Sequence, residues 1–230
     1  MTNYLEKWNN SYENKDNFVF TPHEEIVRFV SKHIRKRIGI NEFTDIVDQD
    51  KSRVLDFGCG IGRHIIYGLE MGLDMYGFDL SNVAIKKSKE WAKERKLYIS
   101  SEKLIATDAT SLPWEDSFFQ YSISHAVLDS MNFNTARIGC KELNRVLCKD
   151  ALFYCDLISG DNSRHDTDYA GEEVVETKHE FNTIQNYYNY EKIKSLFKDL
   201  FKIEDITLIR KTNIQTSDFI SRYHLVLSKI

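Results

Sequence analysis

Three glycines stand in the run Val54-Leu55-Asp56-Phe57-Gly58-Cys59-Gly60-Ile61-Gly62-Arg63-His64, where a short apolar pattern gives way to an amphipathic one. Glycine at a strand-to-helix turn permits positive φ and lets a ligand approach the backbone without Cβ atoms in the way. The helix start beyond it offers free amides to a polar or anionic group. A dinucleotide fingerprint needs its third glycine at position 63, which is Arg63, and no Gly-Lys-Ser/Thr follows to make a phosphate loop. With no pyrophosphate to cradle and Asp56 at the strand end, the loop suits a cationic sulfonium amino acid. Two further carboxylates occupy comparable places. Asp79 ends the strand pattern Tyr76-Gly77-Phe78-Asp79-Leu80-Ser81, where it can accept hydrogen bonds from ribose hydroxyls, and Asp108 follows Leu104-Ile105-Ala106-Thr107, within reach of an adenine amine. Three acidic strand ends converge on one edge of a parallel sheet, where ligands bind in such folds.

The elements that must position them follow from periodicity. Thr21-Pro22-His23-Glu24 reads as a helix start, with Thr21 as N-cap and Pro22 at the first helical position. From Arg53 onward short apolar runs alternate with amphipathic stretches. Strands are expected at 54–57, 75–78, 103–106, 121–124 and 152–157. Helices are expected at 63–71, from the Ser81 cap to about 96, and at 135–147. This alternation calls for a mostly parallel sheet covered on both faces. Residues 159–188 are polar without clear periodicity, with possible short strands at 173–176 and 181–187. A helix at 190–200 and an antiparallel strand pair at 203–209 and 223–228 close the chain. A single domain is expected: an N-terminal helical cover (1–45), a cofactor-binding core (46–157), an acceptor-side insertion (158–190), and a C-terminal helix and strand pair (191–230).

In order and spacing these segments resemble the class I S-adenosylmethionine-dependent methyltransferases, and within them the small-molecule branch. The match takes in 55–63, 76–81, Asp108-Ala109 with Leu112-Pro113-Trp114, and Glu142-Leu143-Asn144-Arg145-Val146-Leu147. The resemblance implies an α/β fold: a Rossmann-like three-layer sandwich around a seven-stranded, mostly parallel sheet with an antiparallel last strand. S-adenosylmethionine is the implied cofactor. Gly58 and Gly60 then line its methionine moiety, Asp79 holds the ribose, and Asp108 with Ala109 borders the adenine. Asp56, Cys59, Arg63, Leu80, Ser124 and Trp8 complete the expected cofactor set. The family places residues bordering the transferred methyl just after the fourth core strand, which makes His125 and Asp129 candidate catalytic groups. His165, in the polar insertion, is a third. The chain departs from the family at Gln120, where an Asp is common, and at Cys148-Lys149-Asp150, where a Pro-Gly-Gly turn is common.

Each of these residues also has a plainer reading. Asp56 and Asp79 can cap loops, Arg63 can be a structural ion-pair partner, His125 a hydrogen-bonded structural histidine, and His224 a core residue. The aromatic segment Trp8 to Phe20 either folds over the cofactor or packs the first helix onto the sheet. A ring facing a sulfonium would gain roughly 0.5–2 kcal/mol.

Composition narrows the function. The formal net charge is −4, and the lysines and arginines are scattered, so a bulk nucleic-acid substrate is disfavoured. No apolar run has the length of a signal peptide core or a membrane span. The four cysteines show no CxxC pair or metal-ligand spacing, so reduced thiols in a cytoplasmic protein and no metal site are expected. The expected activity is methyl transfer to a small-molecule acceptor, oxygen slightly favoured over nitrogen. Two alternatives stand beside it: a cofactor-binding regulatory or partner subunit without transferase activity, and a protein methyltransferase. Neither the acceptor nor the oligomeric state is legible.

Overall fold

The computed structural model describes residues 2–47, 52–163, 170–177 and 180–230. Two helices, α1 (Thr2–Glu13) and α2 (Glu24–His33), and a hairpin of β1 (Arg35–Arg37) and β2 (Phe43–Asp45) precede the core. The core then runs β3 (Arg53–Phe57), α3 (Arg63–Glu70), β4 (Asp74–Asp79), α4 (Asn82–Glu94), β5 (Leu104–Ala106), β6 (Phe119–Ser124), α5 (Phe133–Val146) and β7 (Leu147–Ile158). The short antiparallel pair β8 (Glu172–Val174) and β9 (Ile184–Asn186) follows, then α6 (Tyr190–Phe197), β10 (Phe201–Thr212) and β11 (Phe219–Lys229).

Seven strands form one sheet in the order β10-β11-β7-β6-β3-β4-β5. Strands β3 to β7 pair in parallel, and β11 inserts antiparallel between β7 and β10. The sheet expected from the resemblance is therefore present, its last strand antiparallel. Strand alternation sends side chains to both faces. Leu55, Phe57 and Phe153 pack in one buried cluster with Leu143 of α5 and Phe197 of α6. Val54, Met75 and Tyr154 pack in another with Phe29 of α2 and Ile65 of α3. Burial on both faces explains why β3 and β7 read as nearly continuous apolar runs.

Parallel pairing leaves the C-terminal ends of β3, β4, β5 and β6 at one edge, with the helices starting just beyond them. Two sequence expectations shift there. The N-cap of α2 is His23 and not Thr21: its ring Nδ1 accepts the Glu25 amide at 3.3 Å. The His23 amide in turn donates to His64 Nε2 at 3.3 Å, so a tertiary contact holds the chain extended for two residues past the expected cap. The hairpin β1–β2 was not foreseen; its residues are mostly exposed, and it is closed by the Arg35–Asp45 ion pair.

The two departures from the family pattern are absorbed locally. Gln120 accepts the Arg53 amide through Oε1 at 2.8 Å, the kind of anchor a carboxylate would supply. In place of a glycine turn, β7 begins at once, and Asp150 takes the positive φ of 61°.

Candidate functional site

A cavity of about 640 Å³ opens at the C-terminal edge of the sheet, in the size range of small-molecule sites. Its floor is the glycine loop. The loop is pinned to β4 by Cys59 N to Phe78 O at 2.8 Å, and closes on itself by Gly62 N to Cys59 O at 2.9 Å. Gly58 and Gly60 have φ of +76° and +54°. A Cβ on Gly58 would lie 2.6 Å from Val127, and one on Gly60 would lie 2.9 Å from the Tyr12 hydroxyl. Both glycines line the cavity, so any side chain there would fill the cradle.

Asp79 is buried at the end of β4 and holds the loop in place. Its Oδ2 accepts the Gly60 amide at 2.9 Å and its Oδ1 the Ser81 amide at 2.9 Å. A carboxylate has about four acceptor sites, so capacity remains on the cavity side. Burial pushes its pKa up to about 6, helped by Asp56 and opposed by the two amide hydrogen bonds. Leu80 lines the cavity beside it. Asp108 and Ala109 form a further wall, with Asp108 Oδ1 accepting the Thr110 amide and hydroxyl at 2.8 and 2.7 Å.

Helix α1 covers the floor, with Trp8 and Tyr12 both on the lining and their ring centroids 6.4 Å apart. The helix is fastened where the cofactor edge begins. Ser81, which caps α4 by accepting the Ala84 amide at 3.2 Å, donates its hydroxyl to Asn9 at 2.6 Å. Burial raises the Tyr12 phenol well above its ordinary value, with the nearby charges of Asp79, Cys59 and Glu180 acting in the same direction.

Eight of the eleven residues expected around a cofactor line this cavity: Trp8, Gly58, Gly60, Arg63, Asp79, Leu80, Asp108 and Ala109. The other three lie behind it. Ser124 donates its hydroxyl to Phe57 O at 3.2 Å, and Cys59 is buried beneath the loop, its thiol pushed up by burial. Asp56 is 1% exposed, its Oδ2 has no hydrogen-bond partner, and the ring of buried His64 is 3.8 Å away.

The catalytic candidates separate. His125 lines the cavity, but both ring nitrogens face protein groups: Nδ1 meets Arg63 Nη2 at 2.8 Å, and Nε2 lies 3.4 Å from Asp156 Oδ2. Burial drives its pKa down to about 2, with Arg63 and Arg222 adding to that and Asp156 opposing. Asp129 is not on the lining. Its Oδ2 accepts the Ile158 amide at 2.8 Å and faces Arg222 Nη2 at 2.5 Å, a structural commitment in place of the acceptor-side role expected for it. His165 lies outside the described residues. His224 is buried, as expected, and pairs with the Tyr154 hydroxyl at 2.8 Å.

Sequence reasoning missed several lining residues. His64 closes the glycine-loop run, Val127, Met131 and Thr135 follow β6, and Tyr4 and Leu5 lie on α1. Glu180 comes from the insertion, whose polar sequence gave no signal. The insertion docks on the turn after β6 through Gln185 to Asp129 O, Asn186 to Met131 O, and the Tyr188 hydroxyl to Leu128 O. Among the described residues no cluster of metal-ligating side chains occurs, and no helix is long and apolar enough to cross a membrane.

Residues 55–155 match the sequence model of a methyltransferase domain. No curated protein matches the chain. Among solved structures it is similar to a S-adenosylmethionine-dependent methyltransferase from Methanosarcina mazei, at 20% identity and a TM-score of 0.67, covering 80% of this chain and 94% of that one. It is also similar to the Burkholderia thailandensis 1,6-didemethyltoxoflavin-N1-methyltransferase, solved with its acceptor and S-adenosylhomocysteine. There the identity is 13% and the TM-score 0.63, over 99% of this chain and 86% of that one.

Proposed function

We propose that this chain, of which residues 55–155 match a methyltransferase-domain model, is a class I S-adenosylmethionine-dependent methyltransferase that transfers the methyl group to a small-molecule acceptor. The observation that carries this reading is the cavity itself. It is roofed by α1 and bordered by Glu180 of the insertion, so an acceptor enters a walled cleft and not a flat face. A similar protein solved with 1,6-didemethyltoxoflavin bound beside S-adenosylhomocysteine supports the same class.

The residues present fit the cofactor. The side-chain-free cradle at Gly58 and Gly60 accommodates an aminoacyl tail, the spare acceptor capacity of Asp79 suits a ribose diol, and the unpartnered Oδ2 of Asp56 puts negative charge beneath the loop. When bound, S-adenosylmethionine supplies an electrophilic methyl on an already activated leaving group. The chain therefore contributes alignment and exclusion of water, which carry much of the rate in such displacements. Trp8 and Tyr12 close the floor from above, and Val127 presses on the loop at Gly58.

A neutral hydroxyl acceptor needs a base in reach. The ring nitrogens of His125 are engaged and Asp129 is off the lining, so neither serves a hydroxyl as base in this arrangement. An amine arriving neutral, or an oxygen arriving ionised, suits this lining better. Glu180, from the insertion, is a further carboxylate on the lining and the one to test as a base for a hydroxyl acceptor. Replacing Glu180 with Gln should leave an amine acceptor's kcat within about threefold and lower that of a hydroxyl acceptor by roughly 10²-fold or more. Purified protein given isotope-labelled S-adenosylmethionine and cell extract tests the acceptor class by mass spectrometry. Label in the small-molecule fraction is expected. Label confined to protein would favour a protein methyltransferase, and cofactor binding without any transfer would favour a regulatory subunit.

A further inference from the structure

The two edges of the sheet are unlike. Strand β5 has only 3 residues, and a short strand is one way of blunting an edge. Strand β10 has 12, and among the described residues it pairs with β11 alone. Its outer side therefore presents a row of backbone N–H and C=O groups that can take another strand. Apolar side chains occupy the middle of this edge. Leu208 is 44% exposed and Ile206 and Ile209 are half-buried, while Ile220, opposite Lys211 on β11, is also 44% exposed.

Charges of one sign along an edge deter pairing; here both signs occur, and their places are symmetric. Lys202 pairs with Glu204, which also accepts the Ser228 hydroxyl, and Arg210 reaches Asp161 at 3.4 Å and lies over the Phe219 ring. Asp205 and Lys211 are left. Both are exposed, and neither side chain has an ion-pair or hydrogen-bond partner among the described residues. Strand alternation puts them on one face, with Leu208 midway between them. When two copies of β10 lie antiparallel about Leu208, Asp205 of each stands opposite Lys211 of the other, Thr207 opposite Ile209, and Leu208 opposite its own copy. Opposed residues share a face with Cβ atoms about 4.5–5.5 Å apart, within reach of an ion pair. A two-fold axis normal to the sheet centres on one residue, and a centre at Thr207 or Ile209 sets Asp205 against Ile209 or Asn213. The Leu208 register is the one that pairs the two unpartnered charges, and it does so twice.

We propose that this edge binds a second copy of the chain, β10 against β10 in antiparallel and centred on Leu208, so that one sheet runs across a dimer. The contact is isologous: each copy offers the same patch. Its centre is apolar, with Leu208 and Ile206 on one face of the sheet and Ile209 and Ile220 on the other, and its ends are charged, the anatomy expected of an interface. It spans residues 205–211 and stops at the irregularity between Ile203 and Asp205, where the regular edge ends. The inference does not depend on the proposed activity.

Sedimentation velocity on the full chain, across the micromolar range, tests it. A species with the mass of two chains is expected. Asp205→Lys and Lys211→Asp each set like charges opposite one another twice, and each should raise the dimer dissociation constant by roughly tenfold or more. The double variant restores opposite signs and should return to within about threefold of wild type. Both side chains are exposed, so the variants should keep the Tm of wild type. Leu208→Cys gives an independent reading, because facing residues of antiparallel strands have Cα atoms about 4.5–5.5 Å apart, inside the range a disulfide spans. Oxidised glutathione should join two Leu208→Cys chains but leave wild type and Thr212→Cys unjoined. A wild type that stays monomeric throughout the range overturns the proposal. So does a dimer that both charge reversals leave unchanged, or one in which Leu208→Cys does not cross-link, since the copies then meet elsewhere. Mass is read without cofactor, so failure here leaves the proposed activity standing.

Discussion

Asp79 does two jobs with one carboxylate: it ties the glycine loop to β4 and leaves acceptor capacity on the cavity side. Its pKa, pushed up to about 6 by burial, gives the site a pH dependence with a definite sign. Below about 6 the free protein carries a protonated Asp79, which loses acceptor capacity toward a ribose. Affinity for S-adenosylhomocysteine should be level above pH 7 and fall as the pH drops through 6, and Asp79→Asn should flatten that part of the profile. Stability of the free protein responds in the opposite sense. A folded pKa above the unfolded value means that this group's contribution is fully present below about pH 4 and is lost as the pH rises through 6. Asp79→Ala should weaken S-adenosylhomocysteine by about 1.5–3 kcal/mol, as for hydrogen bonds to a charged group. Titrations at fixed ionic strength check both expectations; pH-independent affinity would deny the carboxylate its role. The sequence marks this residue as a strand-terminal acid after an apolar run, and it lies at the end of β4 on the cavity lining. For His125 and Asp129, residue type and position after β6 say nothing of Arg63 and Arg222, whose contacts come from distant parts of the chain.

At the scale of elements, the glycine turn and the Ser81 cap were legible, and the cap of α2 was not. Ser81 caps α4 as expected, and the Leu112-Pro113-Trp114 and Glu142–Leu147 segments prove to be bonded to one another. Arg145 donates to the Leu112 and Trp114 carbonyls at 2.9 Å each, while Glu142 accepts the Leu112 amide at 3.0 Å. Two motifs that look separate in sequence are thus one joint that sets the loop between β5 and β6. The hairpin β1–β2 and the helix α1 were less legible, since α1 carries no helix-capping signal and its mean hydropathy is low; its hold on the core is the Asn9–Ser81 bond and a small cluster around Tyr12 and Ile61. The glycine loop offers the sharper test. Gly58→Ala puts a Cβ at positive φ and 2.6 Å from Val127, so it should destabilise by more than about 1 kcal/mol. Val127→Ala in the same chain should recover part of that loss in urea unfolding. A Gly58→Ala protein as stable as wild type would mean that the loop is not held as described.

For the whole molecule, a buried chain of charges, Asp129 to Arg222 to Asp156, links β11, β7 and the turn after β6, elements far apart in sequence that meet only when the sheet is complete. Arg222 is central to it, and burial, which alone would lower its pKa, is outweighed by Asp129 and Asp156, so that it stays firmly charged. Arg222→Met leaves two carboxylates buried without their cation and should cost about 3–5 kcal/mol in unfolding experiments; a loss near zero would show that the pair is hydrated in solution. Such long-range pairing is what a single sequence conceals, whereas local periodicity displayed the parallel sheet and its antiparallel closing pair at once. The central claim remains that the cavity over the glycine loop holds the cofactor with Asp79 at its ribose. Isothermal titration of the purified, folded chain with S-adenosylhomocysteine tests it most directly, run beside Asp79→Asn. One molecule bound per chain, weakened in the variant, is the expected result; no binding by a folded wild-type sample would contradict it.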